Sequence, residues 1–315
     1  MENLARLTKH IRAELSKVII GQQEIVDQLL IVLACGGHAL LEGVPGLAKT
    51  LTVKTLSRIC ALGFQRIQCT ADLMPADIIG TNVFNLATSA FTLHRGPIFT
   101  DLLLVDEINR TTARTQAALL EAMEERQATI DGVRYSLGPN FTVFATQNPV
   151  EFEGTYPLPE AQLDRFLLKI RIDYPSAEDE AAILKRFEAL TDPHLIEQVP
   201  LEPIDPALLA GARAEIAQVR VEPALYQYIV SVIRRTRDWP ALSLGASPRA
   251  AIGLFFVARA HAGMEGRDFL IPDDIKAAAP AVLRHRLMLK PEADLEGLTA
   301  DNVIAEILSA VEVPK

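Results

Sequence analysis

Residues 40–50, LLEGVPGLAKT, restrict the possible folds of this chain more than any other stretch. Leu41 and Glu42 read as the end of a strand, and the next eight residues match the phosphate-loop pattern G-x-x-x-x-G-K-[ST] at every required place but one. Ala48 stands where the pattern has glycine before the lysine. Such a loop needs a strand before it and a helix after it, because converging backbone N–H groups and a helix N-terminus must face the same anion. Gly43, Val44, Pro45, Gly46, Leu47, Ala48, Lys49, Thr50 and Leu51 form the candidate cradle. Lys49 would reach the β- and γ-phosphates and the Thr50 hydroxyl would hold Mg²⁺. Ala48 is expected at the helix entrance with ordinary right-handed angles, where a methyl group is tolerated if φ is negative. The alternative is a plain strand–turn–helix connection.

The surrounding sequence has the grammar that such a loop needs. HALLEG, FQRIQC, DLLLVDE, NFTVFATQ and RFLLKIRI are short apolar runs separated by helical patterns, including 49–60 and 112–126. Runs that are apolar on both faces suit parallel strands covered on each side, so the fold class is α/β with a parallel sheet. ATIDGVRYSL predicts a hairpin turning at Asp131-Gly132. At YPSAEDEAAILKRF the pattern changes: Pro175 ends the strand, and Ser176 with Asp179 starts a helix of the capping-box type. Helices follow near 205–218, 223–237, 248–263, 272–288 and 300–311, with no further strand pattern. The division expected is 1–174 as an α/β core with an N-terminal helix, and 175–315 as a small all-helical lid.

Chemistry-bearing residues cluster at the ends of the predicted strands. DLLLVDEINR ends in Asp106 and Glu107; at the carboxyl edge of a parallel sheet Asp106 can hold the Mg²⁺ shell while Glu107 polarises the attacking water. Asn148 follows the strand FTVFATQ and reads either as a neutral amide beside the γ-phosphate or as a turn asparagine before Pro149. Arg165 is either a surface ion-pair partner or an arginine that reaches a neighbour's γ-phosphate. Arg249 lies in the first turn of a helix, where the dipole disfavours a cation, so it should serve something outside that helix, such as bound phosphate. Arg110 and Arg114 suit either a subunit interface or pairing with Glu121 or its neighbours. No H-E-x-x-H or similar metal spacing occurs, and His94 and His285 read as surface or interface residues.

The 315 residues carry a formal net charge of −9, which argues against non-specific binding of polyanions over the whole surface. Cys35, Cys60 and Cys69 form no C-x-x-C pair and read as reduced thiols in a cytoplasmic protein. At the N-terminus Leu4, Leu7, Ile11 and Leu15 repeat at helical spacing, without the apolar core of a secretory signal. The longest apolar stretch, LLIVLACGGHALL, is too short and too interrupted to insert across a membrane.

Taken together, the loop, the strand ending in Asp-Glu, the strand bearing Asn148, DRF and the helical lid resemble the AAA+ ATPases, a branch of the P-loop NTPases. EGVPGLAKT, VDEINRTTARTQAALLEAMEE, ATQNPVEFEGTYPLPEAQLDRF and GASPRA resemble the MoxR family over nearly the whole chain from about residue 15. Members of that family carry the same alanine before the lysine. The resemblance implies ATP and Mg²⁺ as cofactors, with Gly43, Gly46, Lys49 and Thr50 as Walker A contacts and Asp106 and Glu107 as the Walker B pair. It makes Asn148 sensor 1, Arg249 sensor 2 and Arg165 a finger acting across a subunit boundary. The segment around Ile20 and Gly21 would pack against adenine. NLATSAFTLHRGPIF would be the insertion shared with the Mg-chelatase and MCM-like branch. The family further implies a ring, usually a hexamer, and chaperone-like activation of partner proteins, often ones with a von Willebrand factor A domain. CTADLMPADIIG lacks the aromatic residue of threading pore loops, so partner remodelling fits better than threading. Two other readings are a DNA-associated motor, for which the mixed-charge hairpin offers little grip, and a non-catalytic nucleotide switch.

Overall fold

In this computed structural model the described residues are 1–149, 154–188 and 192–314. Residues 150–153, within the ATQNPVEFEGTY motif, lie outside them. Two helices, α1 (Glu2–Ser16) and α2 (Gln23–Cys35), precede the first strand, β1 (Ala39–Glu42). The loop after β1 opens α3 (Lys49–Ile59), and β2 (Phe64–Gln68) follows. Next come the short α4 (Pro75–Ile79) and a hairpin of β3 (Gly80–Asn85) and β4 (Ala90–Arg95). Then β5 (Leu102–Asp106) leads into α5 (Ala113–Glu125). A second hairpin, β6 (Gln127–Ile130) with β7 (Val133–Ser136), precedes β8 (Thr142–Gln147). The one-turn α6 (Glu160–Leu163) precedes β9 (Leu168–Arg171).

The five apolar runs become one sheet in the order β2-β5-β8-β1-β9, with every neighbouring pair parallel. Strand β5 is buried along its whole length and β8 is buried at all but its last residue, as strands covered on both faces must be. The strand order puts the loop after β1 close to the end of β5 with only β8 between, so the phosphate loop and the two acids share the carboxyl edge.

The second half begins with α7 (Ala177–Glu188), where the Asp179 N–H donates to Ser176 Oγ at 3.1 Å as the sequence predicts. It continues with α8 (Pro206–Gln218), α9 (Pro223–Arg237), the short strand β10 (Leu242–Leu244) and α10 (Pro248–Met264). Helix α11 (Pro272–Leu283), strand β11 (Met288–Leu289), α12 (Pro291–Leu295) and α13 (Ala300–Ala310) complete it. Two corrections to the sequence reading arise here. The lid is not wholly helical, because β10 pairs with β11 antiparallel. The helix expected over 272–288 stops at Leu283, and the chain beyond turns to run along β9. Helix α1 bridges both halves: Leu4, Leu7 and Ile11 join one buried apolar cluster with Leu56 of α3 and with Leu209, Ala212 and Ile216 of α8.

Candidate nucleotide site

Beyond β1 the backbone turns sharply. Gly43 lies so close to β9 that a Cβ there would stand 2.6 Å from the Ile172 carbonyl oxygen, so the strand can exit into the loop only without a side chain. Gly46 adopts φ +88° with open space around it. Ala48 takes φ 57° and ψ 18°, in the left-handed region, rather than the right-handed angles expected from sequence. The turn needs the conformation that glycine adopts freely, and an alanine held there costs roughly 1–2 kcal/mol. Two other non-glycine residues at this end of the sheet, Gln22 and Glu107, are also left-handed, both at φ 56°. Such strain gathers where surrounding structure over-determines the backbone, as at ligand sites.

A cavity of about 640 Å³ opens on the loop, a size suited to a small-molecule ligand. It is lined by Pro45 through Leu51 together with Asp106, Glu107 and Asn148. Lys49 Nζ donates to the Gly43 carbonyl, and to that of Val44 at 3.3 Å. Partial burial pushes the Lys49 pKa down, while Asp106 and Glu107 push it up. The Thr50 hydroxyl lies 3.4 Å from Asp106 Oδ2. Thr146 Oγ1 donates to Asp106 Oδ1 at 3.1 Å and accepts from the Glu107 N–H at 2.9 Å, fixing the acids to β8.

Sequence reading missed several members of this site. Arg66 Nε lies 2.6 Å from Asp106 Oδ2, and Gln68 donates to Glu107 Oε2 at 3.2 Å. Both stand on β2, two residues apart and on one face. Two polar side chains at alternate positions of FQRIQ, Arg66 and Gln68, were the available signal. Arg110 Nε pairs with Glu107 Oε2 at 2.8 Å rather than with Glu121 or its neighbours. The residues fit Mg²⁺ with a polyphosphate. The Asp106 carboxylate already pairs with the cationic Arg66 guanidinium, the Thr50 hydroxyl is adjacent, and the Lys49 ammonium and the start of α3 face the same cavity.

On the other side of the loop, Gly43, Val44 and Leu47 border a crevice whose far wall belongs to the lid: Arg284, Thr299 and Asp301. An adjoining cavity is lined by Gln22, directly after Ile20 and Gly21, and by Tyr174 and Asp179. A Cβ at Gly21 would meet the Asp179 carboxylate at 2.7 Å. The lid therefore does face the carboxyl edge, but not through Arg249.

Arg249 and Arg165 meet elsewhere. Arg165 Nε lies 3.0 Å from Glu124 Oε2, and Arg249 pairs with the other oxygen of the same carboxylate. Glu124 ends α5, which returns from the carboxyl edge, and Arg165 lies just before β9, whose first residue is paired with Ala39 at the start of β1. Both arginines thus sit at the amino edge. The phosphate loop is beyond the far end of β1, four strand residues away, roughly 13 Å of strand. Lys49, Thr50, Asp106, Glu107 and Asn148 come together, while Arg165 and Arg249 form a second group that does not line their own chain's cavity. The expectation that Arg249 closes over its own phosphate site is not met by this arrangement. His285, read as a surface or interface residue, is buried.

Residues 38–168 match the ATPase family associated with various cellular activities (AAA), and residues 234–307 match the AAA lid domain. Chaperone MoxR1 of Mycobacterium tuberculosis is 42% identical, the alignment covering 96% of this chain and 81% of that protein. The chain belongs to the MoxR family of AAA+ ATPases. Protein MoxR of Methylorubrum extorquens is 31% identical, over 95% of this chain and 91% of its own length. A crystal structure of a candidate ATPase from Cytophaga hutchinsonii superposes with a TM-score of 0.90 at 40% identity, covering 100% of this chain and 98% of that one. Membership carries ATP hydrolysis in general and a chaperone-like class. Among the described residues of this MoxR-family chain, no helix is long and apolar enough to cross a membrane.

Proposed function

We propose that this chain hydrolyses Mg·ATP at sites shared between the protomers of a ring, and uses the cycle to remodel or activate partner proteins. The observation that carries the reading is the separation of two groups. Lys49, Thr50, Asp106, Glu107 and Asn148 line one cavity at the carboxyl edge, whereas Arg165 and Arg249 share Glu124 at the amino edge. Arginines that cannot reach their own phosphate site are suited to a neighbour's, so Arg249 joins Arg165 as a residue acting across the subunit boundary.

Within the cavity, Lys49 exchanges its loop carbonyls for the β- and γ-phosphate oxygens, and the loop N–H groups orient them. Thr50 and Asp106 would hold Mg²⁺, which supplies charge neutralisation across those oxygens. Glu107 orients and polarises the attacking water, with Asn148 beside it. The neighbour's Arg165 and Arg249 offset charge developing on the transferred phosphoryl group. Loss of that group removes what the two protomers hold in common, and the boundary relaxes.

Protein partners are favoured over nucleic acid by the β3–β4 hairpin. From Thr81 to His94 it carries no Asp, Glu, Lys or Arg, while Phe84, Leu86 and Phe91 are exposed. An uncharged apolar tip has nothing with which to neutralise phosphates. A von Willebrand factor A domain protein is the partner class implied by the family resemblance. The test is ATPase activity measured against protein concentration, with mixtures of variants. Arg165→Ala should bind ATP and hydrolyse poorly, and adding Glu107→Gln subunits should restore turnover. Specific activity that stays constant on dilution to monomer would refute the shared site.

A further inference from the structure

Three consecutive residues after α11, Arg284-His285-Arg286, each hydrogen-bond a backbone carbonyl of the chain entering or forming β9. All five N–H donors of Arg286 are used. Nε bonds Asp164 Oδ1 at 2.6 Å, Nη2 reaches the carbonyls of Asp164 at 3.1 Å and Phe166 at 2.6 Å, and Nη1 reaches those of Leu167 at 3.3 Å and Val282. The Arg286 side chain is only 3% exposed. His285 Nε2 lies 2.9 Å from the Phe166 carbonyl. Ser247, two residues before Arg249, donates to the remaining Asp164 oxygen at 2.9 Å. The backbone on both sides of Arg165 is therefore gripped by the lid.

Arg284 belongs to the opposite end of this contact. It bonds the Lys169 carbonyl at 3.2 Å and Asp301 Oδ1 at 3.0 Å, and it lines the crevice that includes Gly43 and Val44 of the phosphate loop. Asp301, in the first turn of α13, also holds Arg171 at 3.3 Å. One short segment thus touches the crevice beside the chain's own phosphate loop at Arg284 and holds the residues flanking Arg165 at Arg286.

We propose that residues 284–286 form a positioning lever, with Arg286 the residue that sets the pose of Arg165 for the adjoining protomer and Arg284 the residue that senses the state of its own crevice. The proposal rests on the reading that Arg165 serves a neighbour. A fork with four of its five donors bound to residues 164–167 and the fifth to Val282 of α11 leaves Arg165 little freedom relative to the lid, so a lid displaced by nucleotide carries the finger with it. The link runs through rigid contacts with a defined sensor and a defined output, as coupling between sites requires.

The experiment uses mixtures of full-length chains, in which Arg165→Ala subunits supply intact sites and a second variant supplies fingers. ATP turnover per Arg165→Ala subunit is the readout, with affinity for a fluorescent ATP analogue measured in parallel. Glu107→Gln donors must rescue turnover; failure here refutes the shared-site reading itself. Donors that also carry Arg286→Lys keep the charge but lose the fork. Their rescue should fall by at least about tenfold, since an ångström of misplacement costs on the order of 10² in rate, while their own nucleotide affinity changes less than about twofold. Ser247→Ala in the donor, a milder change that leaves the buried arginine paired, should lower rescue in the same direction. Filled Glu107→Gln donors should outperform empty Lys49→Ala donors, and Arg284→Ala should abolish that difference. If the wild-type background already shows equal rescue by filled and empty donors, or if Arg286→Lys and Ser247→Ala donors rescue fully, the lever is overturned although the shared site stands.

Discussion

Replacing Ala48 with glycine should stabilise the protein, against the usual direction of alanine-to-glycine changes at a helix. At φ 57° the alanine bears a left-handed penalty of roughly 1–2 kcal/mol that glycine avoids. Glycine in turn gives the unfolded chain more freedom, which opposes folding by about 0.4–1 kcal/mol. The difference leaves Ala48→Gly more stable by about 0.5–1 kcal/mol. In a chain of 315 residues that moves Tm by only about 1–2 °C, so the midpoint of urea unfolding, followed by intrinsic fluorescence and circular dichroism, is the sharper assay. Ala305 supplies the internal control, because it is exposed in the middle of α13 and absent from the residues with positive φ. Ala305→Gly should destabilise by about 1 kcal/mol. Opposite signs for the two variants support the strained loop; a loss at Ala48 equal to that at Ala305 would refute it.

Glu107→Gln should keep nucleotide affinity in equilibrium binding yet lower the single-turnover rate by about 10²–10⁴, the range for a lost general base. Gly43→Ala should destabilise by about 1–3 kcal/mol in chemical unfolding, because its methyl must displace the Ile172 carbonyl 2.6 Å away. Acid should weaken the fold through His38, whose burial holds its pKa at about 4, and through His285, lowered well below its ordinary value by burial and by Arg286. A histidine depressed in the folded state contributes its stability above about pH 6.5, and that contribution is lost as pH falls toward 4. The expected slope of unfolding free energy is about 1.4 kcal/mol per pH unit for each histidine. A flat profile between pH 6.5 and 4.5 would show that neither ring is held neutral.

The central strands were legible because Leu102–Val105 and Thr142–Ala145 are buried on both faces, which leaves an unbroken apolar run in the sequence. Asp131-Gly132 announced its hairpin, since both residues must take positive φ, and they do, at 49° and 79°. The β3–β4 hairpin was not read as strands. Its faces are mostly solvent-exposed, so no buried side imposes alternation, and Phe84 and Phe91 pack on each other across the strands at 5.2 Å between ring centroids. The misfit of Arg249 in its helix's first turn was visible, but its partner was not, because Glu124 is 125 positions away. Asp106 and Glu107 were readable as strand-end acids, whereas their pairing with Arg66 and Gln68 depends on β2 lying next to β5, an adjacency that spacing does not specify. Ala48 was misjudged for a local reason: a one-residue left-handed turn at a helix start leaves no periodic trace.

The carboxylate of Glu124 has a bearing on how salt acts on any assembled form. In the lone chain its single negative charge is shared between Arg165 and Arg249. Offering them to another protomer's phosphates is then a swap of counter-charges, not a first encounter with one. Screening weakens the old pairing along with the new, so part of the loss is offset. Raising ionic strength should therefore disturb association less than two unpaired arginines facing a triphosphate would suggest, and a titration against salt would read that offset directly.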